Sequence, residues 1–233
     1  MEYRVASVAG ALFLALVFGG QAEERQPRRE VYGGVSSSDG AVFGYLTGVA
    51  AIGSGLYEPG WRIRAMVGHG RYSYFSRGLR IRGKVSVLEI TPGRQFVRGP
   101  LILKLYGGGH FERHDLSPSD PGNSGKGNRL GLKGIGELWV NAGKRAYVSL
   151  DASYSTGFGA YSSKARLGWW AFDGLAVGPE FSAFGKKAYR EQRAGSFLRF
   201  QKGRFAGNFS GGYMRKKDGK QAGYGEFSLE VKF

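Results

Sequence analysis

The chain closes on Tyr224-Gly-Glu-Phe-Ser-Leu-Glu-Val-Lys-Phe233, and the reading of this stretch decides the fold. Counted back from the C-terminus, Phe233, Val231, Leu229, Phe227 and Gly225 share one parity, while Lys232, Glu230, Ser228 and Glu226 share the other. Side chains of a strand alternate between its faces, so this is a strand with one apolar and one charged face. The same alternation recurs upstream. Val42, Leu46 and Ile52 alternate with Phe43, Tyr45 and Thr47. Trp61, Ile63 and Val67 alternate with Arg62, Arg64 and Met66. Leu79, Ile81 and Val85 alternate with Arg80, Arg82 and Lys84. Leu101, Leu103 and Leu105 alternate with Lys104 and Tyr106. Leu130, Leu132 and Leu138 alternate with Lys133, Glu137 and Trp139. With a first strand at Glu30–Val35 and weaker ones near 175–184 and 189–200, about twelve strands and no convincing helix are expected.

The terminal aromatic on an amphipathic last strand resembles the assembly signal of bacterial outer-membrane barrels. The other end of the chain agrees with that reading. Arg4 precedes the uncharged run Val5–Gly20, and Gly20-Gln-Ala22 offers small residues for cleavage. This reads as a secretory signal peptide over 1–22, followed by a flexible segment 23–29 and a barrel over 30–233. The alternative is a spanning helix, which needs about 20 apolar residues. The run is shorter than that and holds three glycines. No later segment is long and apolar enough to span as a helix. There is no cysteine, which excludes disulfides and thiolate chemistry. Glycine reaches 41 of 233 residues and aromatics 14 %, a mixture suited to a sheet that bends, closes and faces lipid.

The expected fold is therefore all-β: a closed antiparallel up-and-down transmembrane β-barrel of about twelve strands, exported to the outer membrane. Long outer loops at 114–128, 184–191 and 216–223 against short inner turns at 141–144, 173–174 and 201–203 fit that topology. In the first half, 53–60 and 91–99 read as long inner turns. A secreted β-sandwich is the soluble alternative, because its strands alternate too. The glycine and alanine mixed into the apolar face favour lipid over a packed core. Trp61, Tyr72, Tyr74, Trp169, Trp170, Phe172, Phe200 and Tyr213, near strand ends, are candidates for interfacial girdles.

The net charge of +16 is spread through nearly all strands rather than clustered, which argues against a nucleic-acid partner. Arg62, Arg64, Arg80, Arg82, Lys84 and Lys104 are expected to form a positive inner wall. Such a wall would attract anionic solutes or, near the rim, lipopolysaccharide phosphates. His110, Glu112 and His114 share a strand face, a pattern compatible with a metal. Exposed loop histidines are the commoner reading, and neither a metal nor another cofactor is expected. Serine and histidine both occur, but no spacing singles out a nucleophile.

The stretch Ser117-Pro-Ser-Asp-Pro-Gly-Asn-Ser-Gly-Lys-Gly-Asn-Arg-Leu-Gly-Leu-Lys-Gly-Ile-Gly-Glu-Leu-Trp139 resembles the central segment of the BcsS family of cellulose biosynthesis proteins. Val31-Tyr-Gly-Gly-Val-Ser-Ser-Ser-Asp-Gly40, Phe43-Gly-Tyr-Leu46 and Gly68…Gly70-Arg-Tyr72 are similar to that family too. The resemblance implies a non-enzymatic outer-membrane component supporting cellulose synthesis or export. Its implied partners are membrane lipid, cellulose chains and other cellulose synthase components. It carries over no catalytic residue. Asp120 falls in a turn-forming loop. Trp139 and Tyr106 are expected to face inward on neighbouring strands, with Glu137 and Lys133 as an ion pair beside Trp139. The other readings are a small porin or adhesin-like barrel, and an outer-membrane lipid or glycan hydrolase.

Overall fold

The computed structural model describes residues 26–233 except 124, 187 and 188; the signal peptide and its cleavage point lie outside the described residues. The strands are β1 (Arg29–Ser38), β2 (Ala41–Ile52), β3 (Gly60–Ser76), β4 (Leu79–Arg98), β5 (Leu101–Ser117) and β6 (Gly127–Ala142). They continue with β7 (Ala146–Ser155), β8 (Ala160–Phe172), β9 (Leu175–Lys186), β10 (Tyr189–Lys202), β11 (Phe205–Lys216) and β12 (Gln221–Lys232). Each pairs antiparallel with its neighbours in sequence, and β1 pairs with β12 from Glu30↔Lys232 to Ser38↔Tyr224, which closes the barrel. Closure leaves no free sheet edge, the condition for β-structure in a bilayer.

Both described termini lie at one end, taken as the inner end. Residues 26–29, expected to be loose, are tied down there. Arg28 and Arg29 donate backbone bonds to the Phe233 carbonyl (3.0 and 2.8 Å), and Leu56 donates to that of Pro27 (2.8 Å). The β3–β4 hairpin at the outer end turns on Arg77 (φ 51°) and Gly78 (φ 78°), the left-handed pair of a two-residue primed turn. Thr91–Gly99, expected to be a turn, is strand through Arg98. Pro92 lacks a ladder donor, and it sits where the β4–β5 ladder skips two pairs between Ile90↔Gly109 and Gly93↔Tyr106, resuming in the same register. The 53–59 connection remains a long inner turn.

Glycine and aromatic excess have a shared cause. Gly83 lies directly opposite Tyr72, Gly93 opposite Tyr106, Gly168 opposite Tyr147 and Gly207 opposite Phe200. A Cβ on any of these glycines would fall within 2.1–2.3 Å of the facing ring. Each ring lies flat over the neighbouring strand, and only glycine leaves room for it.

β3, β4 and β5 run to 17, 20 and 17 residues. A spanning strand needs about 9–11. Much of the surplus projects at the outer end: β2 pairs with β3 only as far as Tyr72, and β7 pairs with β6 only as far as Lys133. This projection changes the meaning of sequence parity. In lower β4, Ile90 and Phe96 point outward while Glu89, Thr91 and Gln95 are buried inside. The period of two runs on without a break, so Ile81 and Gly83 face inward, and Arg80, Arg82 and Lys84 face outward and are exposed. The expected inner wall of six cations is therefore wrong in half its members. Arg62, Arg64 and Lys104 are inside; Arg80, Arg82 and Lys84 are on the outer surface, because the outward face of upper β4 meets water instead of lipid. Among the girdle candidates, Trp61, Trp169, Phe172, Phe200 and Tyr213 are on the outer surface, whereas Tyr72 and Tyr74 join the interior network and Trp170 packs on an interior cluster.

Candidate functional site: the barrel lumen

The inward face carries a charge-paired lattice rather than an apolar core. Near the outer mouth, β5 turns His110, Glu112 and His114 into the interior, where all three are buried. This corrects the exposed-loop reading: β5 continues through Ser117, so these residues belong to a strand. Glu112 bridges the pair, with His110 Nε2 at 3.2 Å from one oxygen and His114 Nε2 at 2.5 Å from the other. His110 Nδ1 faces Glu89 (3.2 Å), and the Tyr72 hydroxyl lies 2.8 Å from His114 Nδ1. With His114 donating Nε2–H to Glu112, Nδ1 accepts the Tyr72 proton. Among the described residues, no group of His, Asp and Glu has metal-holding geometry.

Two outer connections fold over this cluster. In the β5–β6 loop, Asp120 is buried and accepts from the Tyr74 hydroxyl (2.9 Å), while Asn123 Nδ2 donates to the same hydroxyl (2.6 Å). Phe158 of the β7–β8 turn packs edge-on to His114, ring centres 5.3 Å apart, with Lys186 Nζ 5.0 Å from its ring. The turn can lie this close because position 131 is glycine; a Cβ there would meet the Gly157 nitrogen at 2.5 Å.

At several heights, ties cross the lumen. Lys104 on β5 reaches Glu30 on β1 (3.6 Å), Lys186 on β9 reaches Glu112 on β5 (3.6 Å), and Lys164 on β8 reaches Glu226 on β12 (2.5 Å). In each pair three strands separate the partners around the wall, so these side chains span the interior. Glu180 collects Arg166 Nε (2.6 Å), Ser210 Oγ (3.0 Å) and the Tyr224 hydroxyl (3.3 Å). Glu89 collects Arg64 (2.8 Å), His110 and Lys133. The expected Lys133–Glu137 pair does not form. Four residues along a strand are about 13 Å apart; Lys133 pairs instead with Glu89, and Glu137 with Lys104 (3.5 Å) directly across the ladder.

At the inner end, Trp139 stacks on Tyr147 at 4.0 Å and 16°, and Tyr147 also meets Trp170 (5.7 Å) and Phe197 (6.3 Å). Arg199 lies 5.7 Å from the Trp139 ring, and Trp139 Nε1 donates to Asn141 Oδ1 (2.9 Å). Trp139 and Tyr106 both face inward, but Trp139 is opposite Ile102 and Tyr106 opposite Ile135, so they form no joint surface. Arg62 fastens the 53–59 turn at the inner mouth, where its Nη2 donates to the carbonyls of Gly55 (2.9 Å) and Glu58 (2.6 Å). Gln95 Nε2 holds the same turn through Leu56 and Glu58 (both 2.9 Å). Beside this mouth, a cleft of about 590 Å³ is lined by Lys144, Arg145, Trp170, Phe172, Asp173 and Gln201 among others.

Sequence reading put Lys164, Arg166 and Glu226 on polar strand faces but named none of these, nor Glu89, Glu180 or Arg193, as site residues, although they are the centres of this lattice. Their signal was parity: each alternates with an outward residue such as Ile90, Phe181, Leu167 or Phe227.

A closed twelve-strand wall with a charged interior and an apolar exterior defines an outer-membrane-type β-barrel. The solved structures it resembles agree. The TodX deltaS2S3 mutant monoaromatic hydrocarbon channel aligns at TM-score 0.55 and 9% identity, covering 94% of this chain and 93% of that one. The CymD monoaromatic hydrocarbon channel aligns at 0.52 and 12%, covering 90% of each. KdgM porin aligns at 0.50 and 9%, covering 88% of this chain and 99% of that one. At such identities the likeness concerns the fold alone. No curated protein matches the chain. The model of the family "Cellulose biosynthesis protein BcsS" matches residues 31–233, and the chain belongs to that family.

Proposed function

We propose that the protein serves cellulose production or export at the outer membrane as a non-enzymatic component, delivered by a signal peptide cleaved after Ala22. Family membership supports the cellulose context. The observation that carries the finer reading is the inner mouth, where the partly exposed Trp139 and Trp170 pack on the buried Tyr147, Trp170 also lining the cleft that bears Phe172, Asp173 and Gln201. Aromatic faces flanked by planar polar groups suit sugar rings, which offer apolar faces and hydroxyl edges. The glucan or a periplasmic synthase component would meet the barrel there.

Trp139→Ala is expected to lower secreted cellulose out of proportion to barrel abundance. Phe172, 72 % exposed, gives a cleaner variant, because Phe172→Ala removes cleft surface without opening the interior. Normal cellulose output from both variants, well assembled, removes the inner mouth from the mechanism.

The crossing ties leave a laced interior, which argues against a wide diffusion pore; bilayer conductance of porin size would favour the pore reading. A hydrolase would need a nucleophile with an oriented base. The closest arrangement is Ser86 Oγ at 3.0 Å from His69 Nδ1 on the outer surface. Among the described residues, no carboxylate bonds that ring's other nitrogen. Loss of lipid or glycan cleavage in Ser86→Ala would overturn the non-enzymatic reading.

A further inference from the structure

We propose that the outer surface of β3–β5, just above the lipid-facing band, is a binding site for the phosphates of an outer-leaflet glycolipid. The register sets out its rows. Val67, Leu88 and Phe111 form an outward apolar row across the three strands. One step higher come His69, Ser86 and Arg113, then Arg71, Lys84 and Asp115, then Ser73, Arg82 and Ser117, and at the top Phe75 beside Arg80. Each step is two residues, about 7 Å. The cations therefore begin at headgroup height and continue upward for several rows.

Reversal of polarity along the outward face of β4 makes this a built feature. The outward positions of one strand are apolar at Leu88 and Ile90 and cationic at Lys84, Arg82 and Arg80, with no interruption of the period. Arg71, Arg82 and Lys84 are exposed, and no ion pair joins them to a carboxylate among the described residues. Asp115 is the one acid on the outward face of the described strands, and Arg113 Nε already holds it (3.0 Å). Inside the barrel, by contrast, most cations pair with carboxylates, as at Glu89, Glu112, Glu180 and Glu226. Cations crowded without counter-charges repel one another, unless the surroundings supply anions. At this height the surroundings are lipid headgroups, and guanidinium groups bind phosphate oxygens with matched geometry.

The test is native mass spectrometry of the full-length folded protein in neutral detergent with three added lipids. These are the bisphosphorylated lipid anchor of lipopolysaccharide, the same lipid with its phosphates removed, and phosphatidylglycerol. The wild type should retain the bisphosphorylated lipid, more weakly at high salt. Arg82→Gln with Lys84→Gln should weaken retention about tenfold or more, since each cation near an anionic headgroup contributes to attraction. Arg71→Gln with Arg80→Gln provides an independent pair on the same surface, should the first fail to assemble. Equal binding of the phosphate-free lipid, preference for phosphatidylglycerol, or unchanged binding in both variant pairs overturns the proposal. Cellulose output is not read, so failure here leaves the inner-mouth reading untouched.

Discussion

Glu180→Leu is expected to lower barrel stability by about 3–5 kcal/mol, the usual cost of stranding buried charge. The carboxylate is fully buried and receives Arg166, Ser210 and the Tyr224 hydroxyl. Removing it leaves the Arg166 guanidinium inside the wall with no counter-ion of comparable geometry, and two hydroxyls lose their acceptor. Leucine fills volume, so the loss reflects unpaired charge rather than a void. Urea titration of the refolded barrel in lipid vesicles reads the difference. The contrast is Asp39→Asn in the β1–β2 turn, where Lys220 (2.7 Å) and Lys216 (3.1 Å) pair with an accessible carboxylate. Hydrogen bonds from Lys220 and then Lys216 hold that carboxyl below its ordinary range. A pair in water contributes little even so, and the midpoint should barely move. Equal effects of the two substitutions would mean that the lumen is wet enough to screen Arg166, and the interior lattice would then be decoration rather than support.

The strand pattern was legible because lipid outside and a charged lumen inside impose opposite chemistry on alternate residues, as the terminal strand shows over its whole length. Legibility failed where that rule of environment changed along one strand. Upper β4 leaves the lipid, so its cations turn outward and its isoleucine and glycine turn in. Faces assigned by polarity alone place Arg80 and Arg82 on the wrong side. Thr91–Gly99 carried turn residues, yet a ladder irregularity accommodates Pro92 without ending the strand. His110 and His114 looked like loop residues because nothing local shows that β5 runs on to Ser117.

The site was less legible than the fold. Trp139, Lys133, Glu137, Tyr106 and Asp120 are all at interior or loop-packed positions, but their partners are not their sequence neighbours. Glu137 meets Lys104 across a ladder, Lys133 meets Glu89, and Asp120 meets Tyr74 from a distant hairpin. Such pairs follow from register and from the curvature of a closed wall, which bring residues from well-separated strands within contact. A linear pattern records which face a residue takes and not what stands opposite it.

Leu150→Arg should therefore be the least tolerated surface substitution in this barrel. Leu150 lies at the centre of β7, in a continuous outward row with Leu103, Leu138, Ala165 and Phe181. A cation at mid-bilayer costs about 2–4 kcal/mol and falls to about 0–1 kcal/mol near the interface. Leu132 is more exposed, at 69 % against 42 % for Leu150, but it lies at the outer end of β6, beyond the last residue that β7 pairs. Leu132→Arg should consequently fold with a penalty at the small end of that range. Arg82→Leu, on the same outward side but higher still, should leave folding in vesicles essentially unchanged. Exposure alone would rank the two leucines in the opposite order, so the comparison separates depth in lipid from accessibility to water. Folding free energies measured for the three variants in one vesicle composition decide it. A larger loss for Leu132→Arg than for Leu150→Arg would mean that the hydrocarbon band sits nearer the outer end, and the cationic rows of β3–β5 would then lie within it, where unpaired guanidinium groups are not stable.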